Sequence, residues 1–235
     1  MRIDRVVWLA TMTLLLGVSF AGCGGGSSVS SQYGTDSFLP LTVGNHWVYE
    51  VTHYNTSAPN SPGRSVDDVS FDVKAPQTFS NGQAFPMQIT SASDPSTGYR
   101  WNLKWDGNNL LKLGETYTGV AYTYQPPIVL FKNGASDDTV WISTTTSTDS
   151  VNATTEIVST TFEMLNYERV ATTAGTFDAL KVKSYATTGG FYADQFTWYA
   201  QGVGIVKMEN YVNSPINGAK TLLDSYTLLA YTLAN

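Results

Sequence analysis

The stretch YRWNLKWD, residues 99–106, decides the fold: Tyr99, Trp101, Leu103 and Trp105 occupy one phase of a two-residue period, and Arg100, Asn102, Lys104 and Asp106 the other. Side chains alternate across an extended strand, so this pattern lays an apolar face on one side of a sheet and a polar face on the other. Gly107-Asn108-Asn109 then supplies turn chemistry before LLKL at 110–113, and the pair reads as a β-hairpin.

Working outward, the same period recurs in HWVYEVTHY at 46–54, with Trp47, Tyr49 and Val51 inward, and in VSFDVKA at 69–75 and FPMQITS at 85–91. A Thr-rich pair follows between Val140 and Thr161, where about half of the residues are Ser or Thr, as on a solvated sheet face. DALKVKSYA, ADQFTWYA, GIVKMENYV and DSYTLLAYTLA complete the series. No stretch of a dozen residues holds a helical period. The reading is an all-β, mostly antiparallel domain over 38–235: one large curved sheet, half-barrel or sandwich of ten to twelve strands, with few or short helices. Pro126-Pro127 breaks its middle, with a short helix or loop expected around 128–131 or 161–169. At a constant offset of 95, Trp101, Leu103, Gly107 and Lys112 match Phe196, Trp198, Gly202 and Lys207, a correspondence that convergent hairpin patterning explains better than duplication.

Residues 1–22 form an export signal: Arg2 and Arg5, an apolar run from Val6 to Phe20, and the small-residue exit Ala21-Gly22. The run is short for a bilayer-spanning helix, which needs about 20 apolar residues. Setting aside Arg2, Arg5 and Asp4 leaves 11 basic and 18 acidic residues of the 13 and 19 in the chain, net −7. That balance excludes a nucleic-acid partner, which needs clustered Lys and Arg, and an electrostatic hold on anionic lipid. Cys23 is the only cysteine, so no disulfide staples the domain, and a core of this size needs none.

The chemistry-bearing residues give no assembled catalytic pattern and no signal for a cofactor or metal. His46 and His53 stand seven apart on one strand, hence on opposite faces. Asp67-Asp68 and Asp137-Asp138 are placed near turns, and the spacing of a helical calcium loop is absent. Gly202-Val203-Gly204 joins two strands and so reads as a glycine turn, since a dinucleotide fingerprint must open a helix. There is no nucleophile elbow or phosphate loop.

FAGC at 20–23 resembles the lipobox of bacterial lipoproteins, with Phe20 in place of the usual Leu. The resemblance implies that Cys23 becomes the lipid-modified first residue of the mature chain, anchored by acyl chains worth about 0.8 kcal/mol per buried methylene. Residues 23–37 then form a lipidated, Gly/Ser-rich tether spanning about 20 Å as a coil. Gly24 implies outer-membrane sorting in a source with two membranes. SFLPLTVGNHWVYEV at 37–51, AGTFDALKVKS at 174–184 and WYAQGVGIVKME at 198–209 are similar to the opening and closing motifs of uncharacterised bacterial envelope lipoproteins. A looser architectural likeness to half-barrel carriers of the LolA and LppX type implies a sheet that cups an acyl chain, although the helices closing those carriers are not evident here. The expected function is a non-enzymatic, membrane-anchored envelope lipoprotein that binds a partner protein or hydrophobic ligand through an aromatic-rich sheet, with Tyr99, Trp101, Trp105, Phe196 and Trp198 as the candidate face. The alternatives are a lipid carrier and a two-carboxylate hydrolase acting on envelope polysaccharide.

Overall fold

A computed structural model describes residues 37–54, 64–96, 98–132, 134–188, 191–213 and 220–234. The signal segment, Cys23 and nearly all of the tether lie outside these residues. Thirteen strands follow one another: β1 His46–Tyr54, β2 Arg64–Val73, β3 Gln77–Phe79, β4 Gly82–Ser91, β5 Tyr99–Asp106, β6 Asn109–Tyr117, β7 Val120–Lys132, β8 Val140–Asp149, β9 Thr155–Thr172, β10 Gly175–Thr188, β11 Phe191–Ala200, β12 Gly204–Asn213 and β13 Lys220–Thr232. The described residues contain no helix.

Each strand from β4 to β13 pairs antiparallel with the next. β13 pairs with β1, β1 with β2, and β2 with β4, which closes a ring of twelve strands and leaves β3 as a short flap on β4. The expected hairpin at 99–113 is β5–β6, turning on Gly107 at φ 56°. Gly202 and Gly204 both take positive φ in the β11–β12 turn. A Cβ at Gly204 would also meet the indole of Trp47 at 3.1–3.3 Å, so glycine is needed there for packing as well as for conformation.

Two local expectations are corrected. Residues 161–169 are strand, because Phe162 and Met164 continue the inward alternation of β9. Pro126-Pro127 does not end β7 or its pairing with β6, but it does end its ladder with β8, which runs only over Tyr122–Gln125, since prolines lack the N–H that a ladder needs. Side chains of β8 bridge the rest of the seam. Thr145 Oγ1 donates to the Pro126 carbonyl at 2.6 Å, Trp141 Nε1 donates to the Val129 carbonyl at 2.9 Å, and the Val129 amide donates to Ser143 Oγ at 2.9 Å.

The barrel interior differs sharply between its two ends. At the end where β1 begins, residues 37–41 enter the ring, burying Phe38, Leu39 and Leu41 completely or almost so. The Phe38 ring lies 6.4 Å from those of Phe131 and Tyr167. Trp105 Nε1 donates to the Leu39 carbonyl at 3.1 Å, and the Gly202 amide donates to the Ser37 carbonyl at 3.0 Å. Above this plug, Trp47, Tyr49, Phe71, Trp101 and Met208 form a solid apolar core. Phe71 meets Trp101 edge to face at 5.5 Å.

Candidate functional site

The opposite end, where β1 finishes and β2 begins, turns polar inside. Gln195, Asn210, Asp224 and His53 are successive cross-strand partners on β11, β12, β13 and β1, so their side chains share the inner face. Gln195 Nε2 donates to Asn210 Oδ1 at 2.5 Å, and His53 Nδ1 lies 2.7 Å from Asp224 Oδ1. The hydrogen bond to Asp224 raises the His53 pKa above the ordinary histidine value, against an opposing effect of partial burial. One step further round, Asp67 accepts hydrogen bonds from the Ser91 hydroxyl and, at 3.0 Å, from the Ser93 amide. Burial acts to raise its carboxyl, but these donors together hold it below the usual carboxylate range. Gln195 Oε1 and Thr160 Oγ1 are buried without a hydrogen-bond partner among the described residues.

Between this polar end and the apolar core sits a buried charged cluster that sequence reading did not find. Lys112 Nζ lies 2.6 Å from Glu115 Oε2; the Tyr99 hydroxyl donates to the same oxygen at 2.8 Å and the Tyr124 hydroxyl to Oε1 at 2.7 Å. Burial first, and the Glu115 carboxylate next, push both phenols well above the usual tyrosine range, so both remain donors. Residues three apart on a regular strand point to opposite faces. A bulge in β6, between the partners of Asn102 and Leu103, returns Glu115 to the inner face beside Lys112. Gly114 permits it, because a Cβ there would sit 2.3 Å from the Tyr122 carbonyl oxygen. The sequence signal was the Lys-Leu-Gly-Glu run at 112–115, which puts a lysine in phase with the inward Leu110.

The aromatic face expected from the sequence is not one face. Tyr99, Trp101 and Trp105 point into the barrel and belong to its core, with Trp101 wholly buried. Phe196 and Trp198 lie on the outer surface: Trp198 is cross-strand partner to Lys181 and Lys207, whose ammonium groups stand 4.9 and 4.5 Å from its ring centroid, and its Nε1 donates to Glu168 at 2.8 Å. The 95-residue correspondence therefore relates an inward strand to an outward one. Among the carboxylate pairs, Asp137-Asp138 is in a turn as expected, with Asp138 at φ 62°. Asp67-Asp68 is instead in mid-strand in β2, opposite Val51 and Glu50. His46 and His53 do take opposite faces, His46 bonding Asp72 at 3.0 Å outside the barrel. Cys23 lies outside the described residues. No cluster of three metal-ligating side chains occurs among the described residues.

These features define a closed antiparallel barrel with an apolar, plugged end and a polar, open one. Residues 130–229, from late β7 to β13, match the DUF3108-like family. Among solved structures the chain is similar to a candidate exported protein with a YmcC-like fold from Bacteroides fragilis NCTC 9343, at 15% identity and a TM-score of 0.54, with 83% of this chain and 99% of that one covered. It is also similar to a candidate lipoprotein from Parabacteroides distasonis ATCC 8503, at 18% identity and a TM-score of 0.48, with 83% and 98% covered. At such identities the likeness speaks to the fold alone. No curated protein matches the chain.

Proposed function

We propose that the chain is a non-enzymatic binding protein of the bacterial cell envelope, held to a membrane by lipid on Cys23, and that it recognises its ligand at the polar, open end of the barrel. The observation that carries this reading is the opposition of the two ends. Ser37 is hydrogen-bonded at the plugged end, so a tether spanning about 20 Å as a coil joins the lipid to that end and the polar end is the one turned away from the membrane. The lipobox supports the envelope assignment, and the relative of TM-score 0.54 is a candidate exported protein.

A polar ligand fits this barrel better than an acyl chain. The aromatic side chains that suggested a hydrophobic cup fill the closed half with one another, whereas the open half presents amide, carboxylate and hydroxyl groups, two of them buried and unpartnered. Buried polar groups without partners cost stability unless a ligand or water satisfies them. The mature Cys23→Ser chain, followed by thermal unfolding with panels of small polar ligands and of acyl lipids, tests the reading. A stabilisation by polar ligands that disappears in His53→Ala is expected. Stoichiometric lipid retained through purification would overturn it and make the protein a carrier. Metabolic labelling with a fatty acid tests the anchor: label on the wild type and none on Cys23→Ser is expected.

A further inference from the structure

At the open rim a cavity of about 220 Å³ is lined by Tyr122, Ser147, Asp149, Thr154, Thr155 and Glu156. Its construction follows from register. Tyr122 on β7 is the cross-strand partner of Asp149 on β8, and Ser147, two residues back, is the partner of Glu156 on β9. One aromatic ring, one hydroxyl and one carboxylate are thus fixed on three adjacent strands, and Thr154 of the β8–β9 turn and Thr155 at the start of β9 add two threonines. Asp149 is occupied in holding that turn: Oδ1 accepts the Val151 and Asn152 amides at 2.6 and 3.2 Å, and Oδ2 accepts Asn152 Nδ2 at 2.9 Å. Glu156 is exposed and makes no hydrogen bond or ion pair with a described residue. Ser147 is 3% exposed and lines the cavity, yet its hydroxyl has no partner either. Its hydroxyl is therefore free to bond a ligand held in the cavity.

We infer that this cavity is a saccharide subsite, holding one sugar ring of a glycan with the Tyr122 ring against its apolar face, the Glu156 carboxylate accepting from its hydroxyls and Ser147 bonding a further hydroxyl. The inference rests on the reading of the open end as the binding end and gives that end a ligand class. Three observations carry it. The cavity is smaller than the roughly 300–1,000 Å³ of drug-sized sites, so it takes a single small unit. Its lining offers hydroxyls and one free carboxylate beside one aromatic ring, which suits a ligand with one apolar face and an edge of hydroxyl donors. No Lys or Arg lines it among the described residues, so an anionic headgroup would meet like charge from Asp149 and Glu156.

The test is a printed array of bacterial glycans probed with the mature Cys23→Ser chain, followed by titration calorimetry with the free methyl glycoside of the strongest hit. Saccharide binding is expected, weakened at least about tenfold in Glu156→Gln and in Tyr122→Ala and several-fold in Ser147→Ala. Thr146→Ala on the outer face should leave affinity unchanged. Glu156→Gln is exposed and unpartnered, so an unaltered melting temperature will certify that the affinity loss is local. Absence of glycan binding, binding that survives both Glu156→Gln and Tyr122→Ala, or preferential binding of spermidine as a cationic probe overturns the inference. If another polar ligand is held and lost in His53→Ala, the subsite falls while the open-end reading stands. If no ligand stabilises the chain, both fall.

Discussion

Among single residues, Lys112 and Glu115 carry a large stability consequence, because both are buried and, among the described residues, each is the other's only opposite charge in hydrogen-bond contact. Removing one partner strands a buried charge, so Glu115→Gln and Lys112→Met should each cost about 3–5 kcal/mol in urea unfolding. The double variant should cost less than the sum. His53 carries a smaller, pH-dependent contribution. Its folded pKa is raised by the hydrogen bond to Asp224, so the stability it adds is fully present below the unfolded value of about 6.5 and is lost as pH rises through the folded value. The effect is screened at this half-exposed site. The expected outcome is a His53 imidazole titrating above its unfolded value by NMR, returning toward it in Asp224→Asn, and a wild-type stability that falls relative to His53→Gln as pH rises above about 6.5. The same residues show why the polar end was hard to read in sequence. His53 is 171 residues from Asp224, and only the ring closure makes them cross-strand partners.

For the strands themselves, period-two alternation made most of the fold legible: the β5–β6 hairpin, the β8–β9 pair and the four strands from β10 to β13 all stand where the sequence placed them. Alternation could not tell inner from outer. Trp198 is nearly as buried as the core indoles, but it is covered by the stems and ammonium groups of Lys181 and Lys207 on the outer surface. An aromatic stripe covered by lysines on the outer surface therefore reads like one facing the core. Bulges were equally silent, since an extra residue leaves the composition of a strand unchanged while reversing the face of everything beyond it. Gly114 is the residue on which this turns. Gly114→Ala would drive a Cβ into the Tyr122 carbonyl, force the β6–β7 backbones apart and disturb the Lys112–Glu115 pair. A loss of about 1–3 kcal/mol is expected, measured beside Gly119→Ala, whose Cβ would meet nothing within 4 Å and whose cost should come only from its positive φ of 83°.

On the scale of the whole molecule, two long-range choices make a barrel out of a meander. The β1–β13 pairing, from His46 opposite Thr232 to His53 opposite Asp224, closes the ring, and residues 37–41 fill one end of it. Neither is written in local periodicity: β1 and β13 stand at opposite ends of the domain, and Phe38-Leu39-Pro40-Leu41 is a short apolar run with no alternation. The plug joins the tether to the core, so its stability bears on function as well as folding. Phe38 is wholly buried against Phe131 and Tyr167, and truncating a core aromatic costs about 3–5 kcal/mol. Phe38→Ala should therefore destabilise the domain by that order. It should also expose Trp105, whose indole bonds the Leu39 carbonyl of the same segment, to an aqueous fluorescence quencher. Val43→Ala, a change at an exposed residue just beyond the plug, should shift stability by less than about 0.5 kcal/mol. If Phe38→Ala unfolds at the wild-type denaturant concentration with Trp105 still shielded, residues 37–41 are a loose leader lying against the barrel, and the assignment of the plugged end as the membrane-facing end loses its footing.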